Sequence, residues 1–393
     1  MFIPYLRQDL DHLLLKRKVD YWQSKNIISK EQIALIDEKH PVRFYQPHFI
    51  IKVGLFLFTL ICCSAAAGFF YLFTAELDGG SVGWGVRLFI VGIVGYFVLE
   101  TMIHDRKLYH SGIDNALHYY SAGHIMVGLA LILNVMELPE FWSVTLCCLI
   151  AFPVLITGVV RYIDWLSMLL LHVLVITEVI TLLLQLGNVA QYALPFAGML
   201  LGILLYVANV QWSRSSKMRY YKNCFQIGQV VSLILLYLSG NYFVIREARA
   251  DFFGAVVEPG KDVPLAVFFY LFTVFVPLLL VYLGILYKDR IKFRSGLLFF
   301  VAGVLTIKYY YSFSGPEVTL TAAGIANILI AWATIHLLKK PVKGYHMEEE
   351  TEDRLSEEAK SWVMSQTIIS SSPDAGTRFG GGEFGGGGAD GKF

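Results

Sequence analysis

Apolar runs separated by short polar connections make up most of the chain from residue 50 onward. Ten of these runs contain few charged residues. Each is long enough to cross a bilayer, because a helix needs about 20 apolar residues to span the roughly 30 Å hydrocarbon core. We therefore predict an all-α, polytopic membrane helix bundle of about 10 transmembrane helices. The predicted spans are residues 50–74, 84–103, 116–135, 141–159, 163–184, 190–211, 225–245, 263–287, 293–309 and 319–338.

The shortest predicted span, residues 293–309, carries a basic residue near each end. Arg294 stands at its start and Lys308 at its end. Both side chains are long enough to place their charges at opposite membrane interfaces while their stems cover apolar surface. We therefore count this segment as a span.

Lys and Arg residues fall on alternate connections between the predicted spans. Positive residues concentrate on the cytoplasmic side of membrane proteins, so this alternation predicts that both termini are cytoplasmic. Only one outer connection, residues 246–262, contains basic residues. The outer connections without Lys or Arg are 75–83, 136–140, 185–189 and 310–318. The inner basic residues are Arg106, Lys107, Arg161, Arg214, Lys217, Arg219, Lys222, Lys288, Arg290, Lys292, Arg294, Lys339, Lys340 and Lys343.

Residues 1–48 precede the first span, and we predict that they form a cytoplasmic, amphipathic helical hairpin. Leu10, Leu14 and Trp22 recur near helical spacing, which favours a helix over residues 4–24. A DNA-binding helix-turn-helix would need a basic second helix, and the sequence does not provide one. We therefore expect no nucleic-acid partner.

The second helix of the hairpin is predicted by the stretch SKEQIALIDEKHP. Ser29 is its expected N-cap, and Gln32, three residues later, completes a capping box. Pro41 lies beyond the expected end of the helix.

The predicted domains after the hairpin are a ten-span transmembrane domain over 49–340, an acidic cytoplasmic helix over 341–369 and a glycine-rich tail over 370–393. The tail has too few apolar residues to offset the entropy of folding, so we expect it to be disordered. The hairpin and the tail are the places where we expect a protein partner, and the lipid bilayer is the partner of the spans.

Composition supports a membrane protein and narrows the chemistry. The 393 residues are 56% hydrophobic and 16% charged, against about 25% charged in soluble domains. The mean hydropathy is +0.57 and the net charge only +1, which again argues against nucleic acid. Four of the five cysteines form adjacent pairs inside apolar runs, and we interpret them as small hydrophobic residues of the core. We expect no metal and no cofactor.

Two stretches resemble known bacterial membrane proteins. DYWQSKNIISKEQIALID, residues 20–37, resembles the opening of the predicted membrane proteins grouped as domain of unknown function 2157. FGGGEFGGGGADGKF, at the C-terminal end, is similar to the glycine-rich ends of membrane proteins that carry the TPM domain. The resemblance implies a multi-pass protein of the bacterial inner membrane and supplies no catalytic residues.

Ionisable residues inside the predicted fifth span are the first candidate site. His172 and Glu178 lie within LLHVLVITEVI, and Asp164 stands at the start of the span. The three share roughly one half of the helix and are spread over about 21 Å of depth. A charge at the bilayer centre costs at least about 2.5–3.5 kcal/mol, so such residues often line proton or ion routes. The alternative is hydrogen bonding between helices, worth about 0.6 kcal/mol per contact.

A second group lies in the predicted third span, within DNALHYYSAGH. His118 and His124 fall in its inner half and would share a cavity with Asp164 if the third and fifth spans adjoin. Aromatic neighbours at this depth are also common as interface anchors, so a structural role stays open.

A third group, Glu100, His104 and Asp105, lies at the inner end of the second span. Glu100 and His104 are four residues apart and share a helix face, as metal ligands on helices often do. The pattern is common by chance, and no H-E-x-x-H motif accompanies it.

Three functions therefore stay open. The first is a small-solute or ion-coupled transporter that uses the polar residues of the third and fifth spans. The second is a membrane scaffold that docks a partner through its cytoplasmic hairpin and tail. The third, an interfacial membrane enzyme that uses Glu100, His104 and Asp105, is the least favoured.

Overall fold

The computed structural model describes residues 3–77, 79–254 and 262–310, together with a few single positions between 321 and 336. The predicted span 319–338 therefore lies mostly outside the described residues. The predicted acidic helix 341–369 and the glycine-rich tail 370–393 lie wholly outside them.

All regular elements among the described residues are helices, as the sequence predicts. Short connections join them, two of which contain a turn of 3-10 helix. The helices are α1 (Arg7–Ser24), α2 (Lys30–Lys39), α3 (Phe49–Phe73), α4 (Gly80–Arg106), α5 (Ile113–Asn134), α6 (Glu140–Tyr162), α7 (Trp165–Leu184), α8 (Ala190–Arg214), α9 (Lys222–Leu238), α10 (Tyr242–Phe253), α11 (Ala266–Leu286) and α12 (Arg290–Tyr310).

Seven of these helices, α3 to α8 and α11, are long and apolar enough to cross a membrane. The number rises to eight if α9 and α10, which meet at a bend of 76°, form one broken span. At 1.5 Å per residue even α7, with 20 residues, covers about 30 Å. The described part of the chain is therefore that of an integral, multi-pass membrane protein.

The predicted span 225–245 is not one continuous helix, because the chain breaks between Leu238 and Tyr242. Asn241 builds the break: its Oδ1 accepts hydrogen bonds from the N–H groups of Phe243 and Val244 and so caps α10. Its Nδ2 donates to the Tyr237 hydroxyl at 3.1 Å. A side chain that satisfies the free N–H groups of a new helix favours a fresh start over a continuation.

Neighbouring helices pack in pairs, which are α4 with α5, α6 with α7, α8 with α9 and α11 with α12. Small residues allow the closest approach. In the pair α4 and α5, a Cβ at Gly85 or Gly92 would overlap atoms of α5. Small residues at such contacts are typical of membrane helices, which gain no hydrophobic driving force from packing against each other. Contacts of α5 with α6, and of α7 with α9, join the pairs.

The chain divides into two compact units. The main described parts of the first are residues 3–10, 43–77, 79–254 and 262–310, and the described part of the second is residues 11–42. This second unit has a small core of its own, made by Val19, Trp22, Ile28 and Ile36. Ser29 caps α2, and the predicted capping box with Gln32 is confirmed.

Candidate functional site

A buried carboxylate caps the start of α7. Asp164 is 1% exposed and directly precedes Trp165. Its Oδ2 accepts a hydrogen bond from the backbone N–H of Ser167 at 2.6 Å. The first N–H groups of a helix have no partner within the helix, so Asp164 has a structural task as a cap.

Side chains from α4 and α5 converge on this cap. The Tyr119 hydroxyl donates to Asp164 Oδ1 at 2.7 Å. His118 Nε2 lies 3.0 Å from Ser167 Oγ, and His118 Nδ1 lies 3.2 Å from the Tyr96 hydroxyl. Asp164, His118 and Ser167 are all at most 3% exposed. We call these five residues, Tyr96, His118, Tyr119, Asp164 and Ser167, the His118 cluster.

Gly158 on α6 makes room for the His118 cluster. A Cβ at this position would overlap Ser167 Oγ and would lie 2.7 Å from His118 Nε2. The peptide oxygen of Gly158 also accepts a hydrogen bond from the N–H of Asp164 at 3.1 Å. The absence of a side chain at Gly158 therefore lets α6 close against α5 and α7 at the cluster.

An ion pair adjoins the His118 cluster through stacked rings. Arg161 Nε and Nη2 donate to the two Glu100 oxygens at 2.6 and 2.7 Å, a bidentate arrangement. The Tyr162 hydroxyl donates to Glu100 Oε1 at 2.6 Å. The Tyr162 ring stacks on Tyr96 with 6.1 Å between centroids and lies 5.0 Å from the His118 ring. Charged and titratable side chains thus extend through α4, α5, α6 and α7 at one end of the bundle.

Aromatic residues from outside the spans pack at the same end. The Tyr5 ring meets the rings of Phe44 and Tyr109 edge-on, at 6.0 and 4.9 Å between centroids. Burial, and then the charge of nearby Asp114, raise the pKa of Tyr5 well above its ordinary value. The Tyr5 hydroxyl therefore stays neutral beside this acidic group.

His172 has partners of its own. It is 5% exposed, and its Nδ1 lies 2.9 Å from the carbonyl oxygen of Met168. Its Nε2 lies 2.9 Å from the amide nitrogen of Asn209 on α8. Gly228 on α9 leaves the space that Asn209 occupies, since a Cβ there would overlap the amide group. Both ring nitrogens are thus used in helix contacts.

Glu178 and His124 lie apart from the His118 cluster. Glu178 is half-buried, and its Oε2 is enclosed without a hydrogen-bond partner among the described residues. His124 Nδ1 lies 2.8 Å from the carbonyl oxygen of Tyr120, and the two rings are 4.0 Å apart. The structure therefore brings together only two of the five residues proposed for an intramembrane path, Asp164 and His118.

The third predicted group is not assembled as a metal site in the described part of the chain. Glu100 is bound by Arg161, while His104 and Asp105 are exposed. No three His, Cys, Asp or Glu residues among those described lie close enough to hold a metal ion.

Sequence reasoning missed several members of the site. Ser167 stands three residues after Asp164, the spacing of an N-cap and the N–H it accepts, and this signal could have been found. Tyr96 and Tyr162 gave no signal, because tyrosines near span ends are common. Asp114, 5% exposed, was also missed; it accepts hydrogen bonds from the N–H groups of His110 and Ser111.

Comparison of the chain with protein-family models, curated proteins and solved structures finds no match. Its function is therefore inferred from the side chains themselves.

Proposed function

We propose that this protein is a proton-coupled transporter of small solutes in a bacterial inner membrane, with the His118 cluster as its proton-binding site. The observation that carries the proposal is the burial of His118 and Asp164 between the same helices, joined through Ser167. Acidic and histidine side chains are costly inside a membrane and commonly mark ion or proton routes. In this proposal the His118 cluster replaces the longer intramembrane path through His172 and Glu178 that we predicted from the sequence.

The proposal includes ten spans and cytoplasmic termini. The eight possible spans become ten if α12 and residues 319–338 also cross. Support comes from the basic residues at the ends of α4, α6 and α8, namely Arg106, Arg161 and Arg214, which the positive-inside pattern places on one side. The His118 cluster lies near that side, and Tyr5 of the N-terminal segment packs there too.

Protonation of Asp164 would couple the cluster to helix movement. As a carboxylate, Asp164 accepts hydrogen bonds from the Tyr119 hydroxyl and the Ser167 N–H. A protonated carboxyl group has one donor hydrogen and weaker acceptors, so both contacts weaken. The contact between α5 and α7 is therefore weaker when Asp164 is protonated. Proton binding then favours an arrangement of the spans in which α5 and α7 are less tightly joined.

Proteoliposomes with an enclosed pH-sensitive dye test the transport activity. Amino acids, sugars, carboxylates and monovalent cations are added outside the vesicles, one class at a time. We expect one of these classes to drive proton movement across the membrane in the wild type. His118→Gln is expected to abolish that movement. His124→Gln is the matched control on the same helix and is expected to retain it. Equal loss in both variants, or proton movement unaffected by His118→Gln, would contradict the proposal.

A second candidate, a partner-docking scaffold, is supported by the separate core of residues 11–42. Residues 20–37, which resemble the opening of the group named above, lie within this segment. Deletion of residues 11–42 distinguishes the two functions. A scaffold loses its bound partners in a pull-down from the membrane, whereas a transporter keeps its solute-dependent proton movement.

A further inference from the structure

An apolar cavity lies beside the broken span, at the end of the bundle opposite the positive-inside residues predicted from the sequence. It measures about 270 Å³, is about half open to its surroundings and is lined by residues of α7, α8, α9 and α10. Its walls include Ile180, Leu183, Leu194, Leu235 and Phe252. Its volume lies just below the lower end of the range for small-molecule pockets, about 300 Å³, and its open, apolar form suits part of a single hydrocarbon chain.

One guanidinium group lies at this cavity. Arg249 belongs to its lining, and its Nη2 donates to the neutral side-chain oxygen of Gln191 at 2.9 Å. Its Nε is buried and has no hydrogen-bond partner among the described residues. Glu247, on the same helix, accepts from the Tyr310 hydroxyl instead. A buried N–H without an acceptor is costly, which makes an anion the group that fits here.

Arg246, one turn earlier, provides the contrast. Its Nη1 donates to the Tyr242 hydroxyl at 3.2 Å, and its guanidinium lies 4.7 Å from the centre of the Tyr310 ring. Tyr242 in turn donates to Asp262 at 2.5 Å. Arg249 also lies over a ring, that of Tyr192, at 5.8 Å from its centre. The two arginines differ in their other partners: Arg246 donates to Tyr242, which is bound to the Asp262 carboxylate, whereas Arg249 donates to the neutral Gln191 and keeps its buried Nε without an acceptor among the described residues.

We propose that this cavity is a lipid site, in which the Arg249 guanidinium holds the phosphate of an anionic phospholipid and one acyl chain fills the space between α7, α8, α9 and α10. The basic residues of 246–262 also depart from the distribution that keeps positive charge on the inner side. Basic pockets between membrane helices hold anionic lipid heads on the cytoplasmic side, and Arg249 provides the same kind of charge at the opposite end of the bundle. The lipid would also stabilise the bend between α9 and α10, because it contacts both sides of it.

Native mass spectrometry of the full chain in detergent tests this site. We expect the wild type to retain one dioleoyl phosphatidylglycerol about fivefold more tightly than dioleoyl phosphatidylcholine, as one basic residue close to an anionic lipid implies. Arg249→Gln is expected to reduce this preference to none. Arg246→Gln removes the same charge from the same helix and is expected to leave the preference unchanged. Inorganic phosphate in excess is expected not to displace the lipid, because it cannot fill the apolar cavity.

Ala248→Phe tests the apolar part of the site, since Ala248 lines the cavity. A larger side chain is expected to weaken retention of phosphatidylglycerol while the charge of Arg249 stays. The proposal is wrong if the wild type retains neither lipid. It is also wrong if Arg246→Gln and Arg249→Gln reduce the preference equally, or if phosphate alone displaces the lipid.

Discussion

Tyr119 and Asp164, which are 45 positions apart in sequence, share a hydrogen bond of 2.7 Å between hydroxyl and carboxylate. This contact joins α5 to the first turn of α7, at the point where Asp164 also caps α7. One carboxylate therefore fixes both the start of a helix and its contact with a neighbour. A proton on that carboxylate changes both.

Substitution of Tyr119 by Phe tests the strength of this contact. A hydrogen bond to a charged group contributes about 1.5–3 kcal/mol, so Tyr119→Phe should lower the free energy of unfolding by about that amount. Tyr120→Phe is the control: its hydroxyl donates to the uncharged Cys63 carbonyl at 3.2 Å, and about 0.5–1.5 kcal/mol is expected. Unfolding in mixed micelles measures both. A smaller loss for Tyr119 than for Tyr120 would contradict the assignment.

Because α6 packs closely against α5 and α7 at Gly158, any side chain at this position should lower the free energy of unfolding. Gly158→Ala introduces a Cβ that overlaps Ser167 Oγ, and overpacking of this kind costs about 1–3 kcal/mol. Gly123→Ala on α5 is matched, because nothing lies within 4 Å of the point that an alanine Cβ would occupy there. At that position alanine should be neutral or stabilise by about 0.5–1 kcal/mol, since glycine weakens helices. Equal thermal stability of the two variants would show that α6 does not pack closely at the cluster.

His172 and Asn209 should be coupled energetically. Their atoms lie 2.9 Å apart between α7 and α8, and both side chains are buried. A double-mutant cycle with His172→Ala and Asn209→Ala should give a coupling of about 0.6 kcal/mol, and at most about 1.7 kcal/mol, which are the average and the maximum measured for hydrogen bonds between membrane helices. Additive losses of unfolding free energy would mean that the two residues do not interact, and would reopen a functional role for His172.

The capping box at Ser29 should control the order of α2. Ser29→Ala removes the acceptor for the N–H of Gln32 and should cost about 1 kcal/mol, seen as faster amide exchange in residues 30–39. Ser24→Ala is the control, because the Ser24 hydroxyl only donates to the Tyr21 carbonyl. Equal exchange in both variants would show that the cap does not stabilise α2.

The same cap predicts a pH dependence. Ser29 Oγ donates to Glu31 Oε2 at 2.6 Å, and this hydrogen bond lowers the pKa of Glu31 from its ordinary value of 4.5. The stabilisation is therefore complete above pH 4.5 and is lost as the pH falls through the lowered value. After correction for intrinsic rates, exchange in α2 should rise at acid pH in the wild type. Glu31→Gln should remove that rise, and an unchanged rise in this variant would assign it to another group.

Hydrophobic pattern predicted the helices of the membrane domain well, because length and apolar content are set locally. The break at Asn241 was not predicted, since it depends on Tyr237, Thr306 and the N–H groups of α10, which meet Asn241 only in the folded chain. Apolar residues lie on both sides of Ser239 and Gly240, so the sequence pattern there is that of one uninterrupted helix.

Candidate residues were predictable by type and not by partner. His118 and Asp164 were named from their cost inside a membrane, and their contact follows from the packing of α5 against α7. The separation of His172 from that pair could not be derived, because helical angle and rise say which face a side chain occupies and nothing about the neighbour on that face. Asn209 is the partner of His172 on α8. It stands in an apolar run, and nothing in the sequence marked it as that partner.

Charge displacement after a rapid pH change tests the central claim, that the His118 cluster binds a proton, without a known solute. Wild-type protein on a solid-supported membrane should give a transient current when the pH is stepped. Asp164→Asn, if it unfolds at a similar temperature, should abolish the current, while His124→Gln should retain it. A current of unchanged size in Asp164→Asn would contradict the account and leave Asp164 as a helix cap alone.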